Sequence, residues 1–446
     1  MAEITATKVV DMSPAAISIV SAADQFARQT NSISEINRTV LPELEEKAKD
    51  RSQRIITEAL KSVPESDVPE VIKGMRDLAG GILSVTNHQT EGVEPFTLKL
   101  EGSPGAALSH VVMTGFDQIQ SAPHHELLRK SLLVSAVSGF EVLFGKIARS
   151  VFEVNSTALN DSDYSFTLHQ LSDFSTIADA REFLIERQVN KLLFDSLDGW
   201  EKWIKRAAGG VSMVALPVDW DKVRETFARR NLIVHADGVV NHIYLDIIGK
   251  TQDQALKVHV GDRLEVNGEY LDTSIQEILA LGRLLSIDVG MKLYKNEKGA
   301  YVNVLLSEIN RLSHRKMWRA NIALSTYALG CELTRSQELQ ARTQGWVARK
   351  EEFGLDAIKG EVEAWDVSGL APIYSLRKDA ILGKDSTRDK LRKLLQDGTL
   401  NVFEVATDPI YANFREQMKA EIASRSSFAE EDDSSTGIES EDSSTE

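Results

Sequence analysis

The stretch Ala228-Arg229-Arg230-Asn231-Leu232-Ile233-Val234-His235-Ala236-Asp237-Gly238 gathers more reactive side-chain types than any other part of the chain. On a helix, Arg230 and His235 are five positions apart, about 140° around the axis, so both can border one broad cleft. A histidine, whose ordinary pKa is about 6.5, exchanges protons near neutral pH. A guanidinium is a planar fork of permanent charge suited to phosphate oxygens. The plain structural alternative is that Arg229-Arg230 is a solvated face and that His235 is favoured at a helix C-terminus by the dipole.

These residues need a helix with defined ends. Asp219 is placed to cap a helix from Trp220 to about Ala236, and Asp237-Gly238 to end it. Upstream, Leu133, Val137, Phe140, Phe144, Ile147 and Val151 recur at helical spacing and predict one long buried helix over Arg129 to Phe152. Ala178 to Leu197 and Leu197 to Arg206 read as helices, the second carrying Trp200 and Trp203 and closed by Gly209-Gly210. Strand-like pieces come next at Leu256 to Val260 and Arg263 to Val266, then a helix from Thr273 to Tyr294.

The flanks are also helical. Residues Ser13 to Leu60 and Val68 to Leu83 show helical spacing, and Glu94 to Glu101 alternates as a short strand would. From Tyr301 to Ser424 the pattern breaks at Gly354, Gly369 to Pro372, Gly383 and Gly398, which predicts short helices stacked as hairpins. This last third weakly resembles tetratricopeptide-like arrays, without a clean repeat period. The expected fold class is mainly α, with a small β insertion.

The chain has 446 residues and a formal net charge of −16, from 51 Lys+Arg against 67 Asp+Glu. Its 42% apolar residues and 10 prolines support packed cores and exclude wholesale disorder. One cysteine, Cys331, excludes an intrachain disulfide and a thiolate metal cage, and suits a reducing compartment. The N-terminus has no basic segment followed by an apolar one, which points to the cytoplasm. The apolar windows Ser131 to Gly145 and Ala320 to Cys331 fall short of the roughly 20 residues a spanning helix needs, so no membrane partner is expected. The last 21 residues hold eight carboxylates and no Lys or Arg, so half of the net charge sits in a tail, 426–446, expected to be disordered.

Arg230-Asn231-Leu-Ile-Val-His235 resembles the R-x4-6-H motif of the HEPN superfamily in its R-N-x-x-x-H form. Asp237-Gly238-Val-Val-Asn241 and Tyr244-Leu245 resemble the segment downstream of that motif in HEPN proteins of bacterial defence systems, and Ser138-Gly139-Phe140-Glu141 resembles the polar and acidic positions of the preceding helix. The resemblance spans about residues 125–297. It implies a helical bundle that dimerises, or forms a higher even oligomer, so that Arg and His of two subunits line one cleft. It also implies a metal-independent endoribonuclease without cofactor. His235 would be general acid/base, abstracting the proton of a ribose 2′-hydroxyl. Arg230 would bind phosphate and stabilise the transition state, and Asn231 would orient the histidine or the substrate. Products would carry a 2′,3′-cyclic phosphate, and the setting would be antiviral defence, abortive infection or a toxin system.

Glu141, Arg229 and Tyr244 are supporting candidates. Glu141 is equally a carboxylate that pairs Arg230 or Arg229 for structural reasons, and Arg229 offers an alternative spacing to His235. Two copies of Arg229 and Arg230 facing each other would supply local positive charge to an acidic protein. Arg315, Lys316 and Arg319 form the densest basic and aromatic cluster with Trp318, either a weak RNA contact or a solvated helix face. His124-His125 and His235/His242 lack metal-ligand spacing, and no Gly-rich phosphate loop is present.

The expected organisation is an N-terminal helical region, 1–124, a HEPN-like domain, 125–297, a helical-hairpin region, 298–425, that offers a surface to a phage or inhibitory protein, and the tail. Two other classes stay open: a catalytically silent HEPN scaffold for dimerisation, RNA binding or protein contacts, and a helical-repeat adaptor in which the motif is coincidental.

Overall fold

The computed structural model describes residues 12–61, 65–66, 68–69, 71–73, 124–160, 166–249 and 258–415. The strand read at Glu94 to Glu101, most of the helix read over Val68 to Leu83, and the acidic tail lie outside the described residues. The protein is mainly α and divides into two compact units, Met1–Tyr301 and Val302–Glu446.

In the first unit, Ser13 caps α1 (Pro14–Glu35) by accepting the Ala16 amide at 3.4 Å, with Pro14 in the first turn where its missing N–H costs nothing. A π-helical segment, Ile36–Val40, leads into α2 (Leu41–Lys61). The core is built around α3 (His124–Val154), whose buried positions include Leu133, Val137, Phe140, Phe144 and Ile147. Next come α4 (Ile177–Leu193), α5 (Leu197–Ala207), α6 (Trp220–Ala236), α7 (His242–Ile248) and α8 (Gly268–Leu293). Helices α1, α3 and α8 pack on one another, while α3 also touches α4 and α6. Gly282 of α8 is needed there. A Cβ at that position would stand 2.6 Å from the Phe26 ring of α1, which itself meets Phe140 edge-on at 6.1 Å.

Four expectations change. The N-terminal helices are not a region apart from 125–297, because α1 buries Ile19, Ala23 and Phe26 in the core. The π-segment is tied to α8 by Asn37 donating to the Gly268 carbonyl at 2.8 Å and by an Arg38–Asp272 ion pair at 2.8 Å. The strands read at Leu256 to Val266 reduce, among the described residues, to one antiparallel bridge, Val239 with Arg263. Its partner segment, Gly238 to Val240, is pinched between α6 and α7 and has no room for a ladder. Finally, α3 runs beyond the apolar window to Val154, and by length and composition it is long and apolar enough to cross a membrane; 61% of its most apolar stretch is buried inside the unit. Helix α8 begins at Gly268, ahead of Thr273, because Asn267 caps it by accepting the Tyr270 amide at 2.7 Å.

The second unit continues α9 (Lys298–His314) into α10 (Trp318–Leu329) and α11 (Arg335–Phe353), which pack together, followed by shorter helices from Lys359 to Thr407. Gly354, Gly383 and Gly398 end helices at φ of 87°, 70° and 74°, a region L side chains avoid, so the breaks read from these glycines are conformational requirements. Trp346, Leu376, Ile381 and Tyr411 centre its core.

Candidate active site

Helix α6 carries the site, and both of its ends are fixed by local chemistry. Asp219 accepts the Lys222 amide at 2.9 Å, and its own amide donates to Glu277 at 3.0 Å. At the other end Asp237 and Gly238 adopt φ of 49° and 78°, and the Gly238 amide reaches back to the Leu232 carbonyl at 3.0 Å. The Asp237 carboxylate takes Arg263 at 2.7 Å. Backbone bonds from Val240 to Asp262 and from Leu264 to Gly238, at 2.8 and 2.9 Å, pin the turn after His235.

The roll of α6 is set by a buried polar network on one side. The Glu225 carboxylate accepts from Arg229 at 2.6 Å, the Tyr244 hydroxyl at 2.7 Å and the Tyr270 hydroxyl at 2.6 Å. Arg229 also donates to the Glu265 carbonyl at 2.8 Å, and its guanidinium lies 3.9 Å from the centre of the Tyr270 ring. Burial, reinforced by the Glu225 charge, pushes both phenols well above their ordinary range, so they remain proton donors to the carboxylate. Arg229 and Tyr244 are therefore not in the cleft. They anchor the helix, and Arg229, buried and paired, offers no charge to a second copy.

Arg230 points the other way. Arg230, Asn231, His235 and Glu141 line one groove of about 450 Å³. Arg230 donates to Glu141 of α3 at 2.9 Å and to Asn231 at 3.0 Å; Asn231 and His235 are exposed. Glu141 is half-buried, and desolvation holds its carboxyl above the ordinary value despite the opposing pull of Arg230. An aromatic cluster forms the floor. Phe144 stacks on Trp200 at 4.4 Å, Phe227 meets Trp200 edge-on at 6.2 Å, and the Trp200 indole donates to the Leu192 carbonyl at 2.8 Å.

Arg224 lines the same groove and is absent from the residues singled out by sequence. It pairs with Asp198 of α5 at 2.7 Å. Its signal is spacing: Arg224, Ala228, Asn231 and His235 fall at i, i+4, i+7 and i+11, one stripe of α6. Both groove arginines thus meet a carboxylate from a neighbouring helix, and neither Nε makes a hydrogen bond.

The basic cluster lies in the second unit. Arg319 pairs with Glu352 at 2.7 Å, Arg315 is exposed, and Lys316, at φ 55°, lines a separate cavity of about 580 Å³ with Lys350 and Trp318. Among the described residues no group of three or more His, Cys, Asp and Glu converges to hold a metal ion. No family model, curated protein or solved structure matches the chain.

Proposed function

We propose that the protein is a metal-independent endoribonuclease of the HEPN type, acting in a bacterial antiviral or toxin-type system. One observation carries the reading: Arg230, Asn231 and His235, the residues of the R-N-x-x-x-H pattern, share a single groove while the adjacent Arg229 is turned away from it. His235, exposed at the rim of the groove, takes the proton of a ribose 2′-hydroxyl. The oxygen attacks the neighbouring phosphate, and the 5′-oxygen leaves with a proton returned by a histidine. Arg230 neutralises the charge that builds on the phosphoryl oxygens, and Asn231, which accepts from Arg230 at 3.0 Å, orients the histidine or the substrate. The second arginine and histidine of a composite cleft come from another copy of the chain, with RNA as substrate and no cofactor.

The silent-scaffold reading has its own observation. Each groove arginine is neutralised by a carboxylate, Arg230 by Glu141 and Arg224 by Asp198, so the groove of one copy offers phosphate no spare cation. The two readings separate on RNA cleavage by the purified wild type and Arg230→Ala/His235→Ala. Cleavage by the wild type alone, leaving 2′,3′-cyclic phosphate ends and resisting EDTA, supports the nuclease. Equal RNA integrity with both purified proteins leaves the scaffold.

A further inference from the structure

A second groove, of about 550 Å³, adjoins the candidate site: Phe194 and Asp195 line both. Its walls come from the end of α4 and the outer face of α5. Lys202 and Arg206 sit one turn apart on α5, Lys191 faces in from the last turn of α4, and all three are exposed. Among the described residues Asp195 is the single carboxylate of the lining, and it is engaged elsewhere. It accepts the Ser196 amide at 2.7 Å and lies over the first turn of α5, so close that a Cβ on Gly199 would stand 2.2 Å from it. Two aromatic surfaces accompany the cations. Trp203 is held against Phe152 at 5.1 Å with part of its ring open, and Phe194, at the junction of the two grooves, is 93% exposed. Among the described residues that ring stacks on no other, with cations on one side of it and the candidate site on the other.

We infer that this groove is the track for single-stranded RNA flanking the scissile bond, with Lys191 and Lys202 lying along the phosphates and Phe194 stacking a base at the entrance to the Arg230/His235 groove. Cations beside open aromatic faces are what unpaired nucleotides need. A duplex keeps its bases stacked on each other and has none to offer a side chain. Lys191 and Lys202 have no carboxylate partner among the described residues, whereas each arginine of the Arg230/His235 groove has one. The inference rests on the nuclease reading for its direction, and the experiment separates the two.

The test uses the full chain and a fluorescein-labelled, mixed-sequence RNA of about 20 nucleotides, single-stranded or annealed to its complement, with anisotropy as the binding readout in a His235→Ala background. For Lys191→Ala/Lys202→Ala we expect weaker single-strand binding and a salt slope reduced by about 1.4, at roughly 0.7 per lost phosphate contact. For Phe194→Ala we expect roughly tenfold weaker binding with the salt slope unchanged. With His235 restored, Lys191→Ala/Lys202→Ala cleaves a tetranucleotide spanning the scissile bond as the wild type does, while its KM for the long strand rises. Thermal midpoints stay unchanged, because these side chains are on the surface. The track is overturned if the variants bind the long strand like the wild type, if duplex binds with the same affinity and sensitivities, or if tetranucleotide cleavage falls in parallel. A wild type that binds single strands with these dependences but cleaves nothing keeps the track and removes the nuclease; one that neither binds nor cleaves removes both.

Discussion

Arg230 of α6 and Glu141 of α3 form an ion pair at 2.9 Å across the floor of the groove, and the glutamate is the partner that burial penalises. The pair ties the helix bearing the candidate site to the central helix of the unit. It also occupies the guanidinium a phosphate would need.

Glu141→Gln tests that arrangement through pH. The folded-state pKa of Glu141 is raised, so its ionised form costs stability at pH values above it, and the cost disappears as pH falls below the ordinary carboxylate range. At pH 7 the Gln variant should unfold at the same temperature as the wild type or higher, and the difference should shrink toward pH 4. A midpoint several degrees lower at pH 7 would show the ion pair to be net stabilising. In cleavage or RNA-binding assays the same variant releases Arg230 and should gain.

Adjacent arginines should behave oppositely. Arg229→Ala takes the close guanidinium from the buried Glu225, leaving it two phenol donors and Lys222 at 3.7 Å, and should cost about 3 kcal/mol. Arg230→Ala removes a partly exposed pair and should cost about 1 kcal/mol or less while abolishing any nuclease activity. Urea unfolding of the two variants decides this, and comparable losses would contradict the assignment of Arg229 as the anchor.

Loss of the acid/base group should be kinetic, not structural. His235→Ala is expected to lower cleavage by roughly a hundred-fold to ten-thousand-fold with an unchanged circular dichroism spectrum and melting curve. A 3′-hydroxyl on the products of the wild type would exclude attack by the 2′-oxygen.

Gly282→Ala places a methyl group 2.6 Å from the Phe26 ring and should destabilise by about 1–3 kcal/mol through overpacking. A second change, Phe26→Leu, should recover part of the loss, and additive costs in the double variant would show that the two positions do not touch.

The ends of α6 are legible in the sequence because caps are local: Asp219 bonds three residues ahead, and Asp237-Gly238 turns the chain within its own last turn. The gathering of Arg230, Asn231 and His235 comes from helical spacing for the same reason. Arg229 is not legible in this way because its partners, Tyr244, Glu265 and Tyr270, come from later elements, and an Arg-Arg pair without them reads as surface. Arg224 escapes notice because its meaning depends on Asp198, a residue of another helix. The packing of α1 into the core is equally hidden, since periodicity reports which face is apolar but not which helix covers it.

Helix α3 is covered on one side by α1, which precedes it, and on another by α8, which comes more than a hundred residues later. On a ribosome adding about 5–20 residues per second, α3 waits on the order of ten seconds for that second partner. During that wait the nascent chain presents a helix with the length and composition of a membrane span, and α1 is the only one of the two partners yet made. Deleting α1 would leave that face of α3 bare, since Ile19, Ala23 and Phe26 are the side chains α1 buries in the core.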